Sequence, residues 1–205
     1  MDIKPANFVY VPNGKASFQQ KAIDFGNSID KQVPSDSISL TGYTARYASP
    51  EVAGHICGTG SKFQPSDECD VFSFGLVVFE LMNSMKSFWE CRNIDVTKEK
   101  EVLEAALKLT DGDVEETLER EFPSEQDSSV KTWLKDALKT DSKKRISIKN
   151  LKKCHSLFQP ESPTTRQLSS TLKRVLSENN HKVSAKQDEK NLKLNQGIHL
   201  SLIHI

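Results

Sequence analysis

The first two dozen residues set short apolar runs against turn-forming clusters. Phe8-Val9-Tyr10-Val11 is apolar and β-favouring, Pro12-Asn13-Gly14 is a turn signal, and Ala16 to Ile23 returns as a second strand. The pattern predicts a β-hairpin over residues 8–23. Two antiparallel strands joined by a tight turn bring their far ends within reach of each other, so Asn7 and Asp24 are expected at the same open end. Residues 27–48 follow with many Ser, Thr, Asp and Gly and little periodicity, which predicts a long polar loop. From about Asp67 to Asn83 the character changes: Val71, Phe72, Phe74, Leu76, Val77, Val78, Phe79, Leu81 and Met82 are apolar almost all round. A helix that is hydrophobic on every side is buried, and others pack around it. Further helical patterns run over about 98–109, 129–139 and 147–154. In the second of these, Val130, Trp133, Leu134, Ala137 and Leu138 share one face.

Beyond Phe158 the composition shifts to Ser, Thr, Lys, Asn and Gln, with Pro160 and Pro163 at the start. Such a segment buries too little apolar surface to offset its ordering entropy, so residues 159–205 are expected to form a mostly disordered tail. Its last residues, Leu200 to Ile205, turn abruptly apolar. With 205 residues, 36% of them hydrophobic, one core plus a tail is the expectation. Lys+Arg and Asp+Glu both total 28, so no bulk basic field points to nucleic acid or an anionic membrane, and neither is an expected partner. No apolar run reaches the ~20 residues of a membrane helix, and the first residues lack a secretory pattern. Cys57, Cys69, Cys91 and Cys154 form no Cys-x-x-Cys pair and have no histidines at zinc-finger spacing, which reads as structural or surface thiols. A reducing compartment fits this cysteine usage, with the cytoplasm expected and the nucleus also open.

Two strings carry candidate chemistry: Asp2-Ile3-Lys4-Pro5-Ala6-Asn7 and, about twenty residues on, Asp24-Phe25-Gly26. Singly each has a plainer reading, Asp2 and Asn7 as turn residues around Pro5 and Asp24 as a cap on the turn at Gly26. Together they resemble the catalytic loop and metal-binding loop of the eukaryotic protein kinase family, serine/threonine type. The resemblance continues in order. Thr44-Ala45-Arg46-Tyr47-Ala48-Ser49-Pro50-Glu51 is similar to the family's Thr-x-x-Tyr-x-Ala-Pro-Glu segment. Asp70 matches the start of its buried central helix, Arg145 the arginine that pairs with the glutamate at Glu51, and His155 to Phe158 its closing His-x-x-Phe. The resemblance implies a mainly α fold with a small β-hairpin: the C-terminal lobe of the protein-kinase-like α+β fold at residues 1–158, then the tail at 159–205.

The resemblance also implies roles. Asp2 would accept the proton of a substrate hydroxyl, Lys4 would set a positive charge near the transferring γ-phosphate of ATP, and Thr44 would contact both and shape the acceptor pocket. Asn7 and Asp24 would hold Mg²⁺, and Asp70 would bond the catalytic-loop backbone. Proteins would be the substrates. The family's Gly-rich loop, strand lysine and paired helix glutamate find no match in these residues, so the expectation is a lobe without its nucleotide-binding partner lobe, poorly active alone. A pseudokinase-like scaffold that docks partners without catalysis is the alternative. Ser35, Ser37, Ser39 and Thr41 are candidate acceptors for an upstream kinase acting on the 27–44 loop, although Met1 stands where the family usually carries a phosphate-receiving arginine. In the tail, Lys173-Arg174-Val175-Leu176-Ser177 resembles a basic-directed phosphorylation site within a solvated segment.

Overall fold

The computed structural model describes residues 2–12, 18–30, 40, 42–59, 63–124 and 128–151. The expected tail, the candidate phosphoacceptors Ser35, Ser37, Ser39, Thr41 and Ser177, Cys154 and the His155–Phe158 string lie outside the described residues. So does the apolar end at Leu200–Ile205.

The hairpin forms as its pattern predicts. Strand β1 (Phe8–Pro12) pairs antiparallel with β2 (Phe18–Ala22), with Phe8 opposite Ala22 and Val11 opposite Gln19. One further bond, from Ile23 N to Asn7 O at 2.8 Å, extends the pairing to the open end. The remaining regular elements of the described chain are helices: α1 (Pro50–Ile56), α2 (Asp67–Met82), α3 (Phe88–Cys91), α4 (Glu99–Lys108), α5 (Asp111–Glu121), α6 (Ser128–Ala137) and α7 (Ile148–Leu151), with short 3-10 turns besides. No helix among the described residues is long and apolar enough to cross a membrane.

Local chemistry sets the helix ends. Ser49 caps α1 by accepting from Val52 N, with Pro50 at the first helical position, where its missing N–H costs nothing. Asp67, Glu68 and Asp70 fill the first turn of α2, where the helix dipole favours negative charge. Thr110 and Asp113 form a reciprocal capping box on α5: Asp113 N donates to Thr110 Oγ1 at 3.1 Å, and Thr110 N to Asp113 Oδ2 at 2.9 Å.

Helix α2 is the axis of the core. Phe72 and Phe79 are fully buried, and Phe79 meets Phe88 and Phe122 edge-on with ring centroids 5.3 and 5.4 Å apart. Leu118, Leu134 and Leu138 from α5, α6 and the turn after α6 close over it, each worth about 1.5–3 kcal/mol of burial. Gly75 lets this packing close: a Cβ there would stand 2.8 Å from Leu138 Cδ2. Two helices, α1 and α5, fall where the hydrophobic pattern predicts none, and so does the single turn of α3. Beyond its acidic first turn, α2 carries two buried polar side chains, the Ser73 hydroxyl and a carboxylate at Glu80.

Arg145 fastens the segment after α6 to the starts of α1 and α2. Its side chain is wholly buried, and all five N–H groups find acceptors: Nη1 and Nη2 fork onto Glu51 at 2.6 and 3.2 Å, while carbonyls of Glu68, Lys139 and Thr140 take the rest. Phe72 presents its ring face 4.9 Å from the guanidinium carbon.

Candidate active site

The site begins where the chain enters the hairpin. Lys4 is extended and Pro5–Asn7 makes one 3-10 turn, closed by Asn7 N to Lys4 O at 3.0 Å. That turn folds Asn7 back on the start of the chain, so its Nδ2 donates to the carbonyl of Asp2 at 2.8 Å. Asp2 is nearly buried and receives Lys4 Nζ on Oδ2 at 2.6 Å. Thr44 arrives from forty residues away and donates its hydroxyl to the same oxygen at 3.2 Å, while Lys4 Nζ also reaches Thr44 Oγ1 at 3.3 Å. Three groups on two distant segments therefore share one knot, and neither bond to the carboxylate uses Oδ1.

Asn7 and Asp24 are brought to the same end of the hairpin by the pairing beyond it. Their environments differ. Asn7 is buried, whereas Asp24 is exposed and holds φ at 61°, a left-handed conformation that a short polar side chain tolerates. The Asn7 amide oxygen and the Asp24 carboxylate are hard oxygen donors, the chemistry a Mg²⁺ ion takes, and with Nδ2 committed to Asp2 the oxygen of Asn7 is the atom left for a cation. Phe25, next to Asp24, is 59% exposed and Ile23 41%.

A cavity of about 230 Å³ opens beside Asp2 and Thr44. Asp70 from the first turn of α2 shares its wall, as do Tyr43 and Phe63. Cys69 lines it too, but burial pushes that thiol up to about 11, which keeps it protonated and unreactive.

The segment after Thr44 is held by residues that sequence reasoning missed. Ser73 Oγ donates to the Tyr47 carbonyl at 2.7 Å, and Trp89 Nε1 to the Arg46 carbonyl at 2.9 Å. The Tyr47 hydroxyl donates to Glu80 Oε2 at 2.8 Å, and Arg46 Nη2 to Glu80 Oε1 at 3.1 Å. Burial raises the Glu80 carboxyl above its ordinary value against the opposing pull of Tyr47 and Arg46, and burial likewise raises the Tyr47 phenol. A glutamate set among the apolar residues of the second half of α2 was the available signal, because buried polar residues need partners.

A two-stranded hairpin leading into a helical body, built on a fully buried central helix and fastened by a buried arginine–glutamate fork, is the C-terminal lobe of the protein-kinase-like fold. The chain belongs to the protein kinase family: the family model for the protein kinase domain matches residues 1–158. A "CDPK-related protein kinase" of Daucus carota is 30% identical over 155 residues, covering 76% of this chain and 22% of that protein. "Calcium-dependent protein kinase 15" of Oryza sativa subsp. japonica is 28% identical over 146 residues, covering 71% and 23%. "Calcium-dependent protein kinase 1" of Arabidopsis thaliana is 28% identical over 189 residues, covering 90% and 27%. The chain thus spans about a quarter of the length of these relatives.

Proposed function

We propose that the protein transfers the γ-phosphate of ATP to serine or threonine hydroxyls of protein substrates. The Asp2–Lys4–Thr44 knot carries the reading: a carboxylate is fixed through one oxygen by an ammonium and a hydroxyl, with its other oxygen uncontacted by the described residues and so open to an incoming O–H. In the reaction, Asp2 Oδ1 takes the substrate hydroxyl's proton as that oxygen bonds to the γ-phosphorus and ADP leaves. Lys4 stands close enough to Asp2 to place its charge beside the transferring phosphoryl group. Thr44 keeps the carboxylate from rotating away from the acceptor. Asn7 and Asp24 would hold Mg²⁺, which supplies neutralisation of phosphate charge when bound. Serine/threonine rather than tyrosine specificity rests on the resemblance at Lys4, since a lysine there resembles serine/threonine kinases, whereas tyrosine kinases usually carry arginine or alanine near that position. An upstream kinase acting on the 27–44 loop belongs to the same proposal.

The test is phosphate transfer from ATP to serine-, threonine- and tyrosine-containing peptides by the protein as its transcript encodes it. The expected result is labelling of the first two classes, with Asp2→Asn slowing transfer by about 10²–10⁴-fold. Labelling that survives Asp2→Asn unchanged overturns the proposal. The 205-residue polypeptide by itself is expected to bind ATP weakly and transfer poorly, because these residues include no Gly-rich loop and no strand lysine to hold the phosphates. A second reading, a lobe that docks partners without catalysis, is favoured by the apolar edge that Ile23 and Phe25 expose beside Asp24. It predicts partner capture that Asp2→Asn leaves intact.

A further inference from the structure

Arg46 lies two residues beyond Thr44, and its guanidinium is shared between two carboxylates from different helices. Nη2 alone makes both contacts, to Glu80 Oε1 of α2 and Glu90 Oε2 of α3, each at 3.1 Å. Nε is buried with no hydrogen-bond partner among the described residues, so the fork that gives arginine its usual bidentate grip is not used there. The two acids are unlike. The Glu80 side chain is 6% exposed, while that of Glu90 is 41% exposed and stands at the rim. Tyr47 holds the other oxygen of Glu80, Ser87 holds Glu90 through its N–H and hydroxyl, and among the described residues Lys86 is the further cation acting on Glu90. Without Arg46, one dry and one half-exposed carboxylate would converge on a guanidinium-sized space, and an unpaired buried charge is costly.

We infer that Arg46 is a built-in occupant of a guanidinium socket beside the acceptor site and thereby sets substrate class. An arginine-bearing substrate finds Glu80 and Glu90 already taken, so the protein selects polypeptides without a basic residue at that point. The geometry supports the reach: consecutive Cα atoms are 3.8 Å apart, so Arg46 lies within about 7 Å of Thr44 along the chain, and an extended substrate advances about 3.3 Å per residue. A side chain two or three residues from the acceptor hydroxyl comes level with Arg46. The word substrate rests on the kinase reading above, whereas the socket does not depend on it.

The test is equilibrium binding, read by fluorescence anisotropy, without ATP. The probes are alanine-based peptides with one central serine and a single arginine at each of the three positions to either side, plus the arginine-free parent. The wild-type chain is expected to bind all of them alike within about twofold. Arg46→Gln and Arg46→Ala are expected to bind at least one arginine peptide about fivefold or more tighter than the parent, and adding Glu80→Gln to cancel that gain. A wild-type preference for arginine of that size overturns the inference, because Arg46 would then not block the socket. No gain in Arg46→Gln, folded by its circular dichroism, overturns it as well. If Arg46→Ala folds poorly, methylguanidinium at a few millimolar should raise its melting midpoint, with methylammonium ineffective; equal effects of the two cations overturn the inference. Since no phosphate is transferred, failure of the kinase reading shows only in the Asp2→Asn assay and failure of the socket only here.

Discussion

Two regions of this molecule hold their charges in opposite ways. At the back of the helical body Arg145 is sealed in, with five donors matched to five acceptors and an aromatic ring beneath it. At the hairpin's open end Asp24 sits in water at a left-handed φ, flanked by an exposed Phe25 and Ile23. The difference separates stability from chemistry. A charge taken out of water needs every partner in place and then resists change, while a charge meant to meet a cation and phosphates must be left accessible. Asp2 lies between these extremes, nearly buried yet, among the described residues, committed through one of its two oxygens.

The largest effect is expected at the sealed end. Arg145→Ala should cost about 3–5 kcal/mol in urea unfolding, because it strands the Glu51 carboxylate and three carbonyls together. A loss under 1 kcal/mol would break the contrast, since it would mean that the fork is no better held than a surface pair. Gly75→Ala comes next. Its Cβ would lie 2.8 Å from Leu138 Cδ2 and 3.3 Å from Ala137 Cβ, and overpacking should cost about 1–3 kcal/mol; the double variant with Leu138→Ala should cost less than the sum of the two single changes.

The same contrast explains what the sequence discloses. The strands, α2, α4, α6 and the start of α7 follow from apolar periodicity within a residue or two at most ends, because each buries a continuous face. Helix α5 escapes that pattern. Its inward face is only Val114, Thr117 and Leu118 among six acidic residues, and Gly112 sits in its first turn. The legible signal was its capping box, Thr110-x-x-Asp113, not its hydrophobicity. The candidate site divides in the same way. Asp2, Lys4, Asn7 and Asp24 are local strings and can be read one after another, and the meeting of Thr44 with Asp2 was foreseen only through family resemblance. The Glu80–Tyr47–Arg46–Glu90 cluster spans three separate segments, so no spacing along the chain announces it.

Between the extremes lie the half-exposed caps. Thr110→Ala removes an acceptor for Asp113 N and should cost about 1 kcal/mol. Asp113 also gives a pH handle. Hydrogen bonds from the Thr110 hydroxyl and backbone, then from Arg92, hold its carboxyl below the ordinary 3.8. A depressed folded-state value means that the group binds protons more weakly when folded, so its stabilisation is present above the ordinary value and is lost as pH falls through the folded one. Asp113→Asn should therefore flatten the decline of stability on acidification below about pH 4. An acid limb as steep as that of the wild type would show the box to be loose in solution.

The smallest effect is expected at Asp24. The residue is exposed, and its backbone holds φ at 61°, a conformation in which asparagine is at least as comfortable as aspartate. Asp24→Asn should therefore leave the unfolding free energy within about 0.5 kcal/mol of the wild type, or raise it slightly. It also removes a full negative charge from the oxygens proposed to face Mg²⁺, so cation binding followed by isothermal calorimetry should weaken while stability does not. If instead the variant unfolds more easily by more than 1 kcal/mol, the Asp24 carboxylate is structural, and the separation of a sealed body from an open chemical edge fails where it was drawn most sharply.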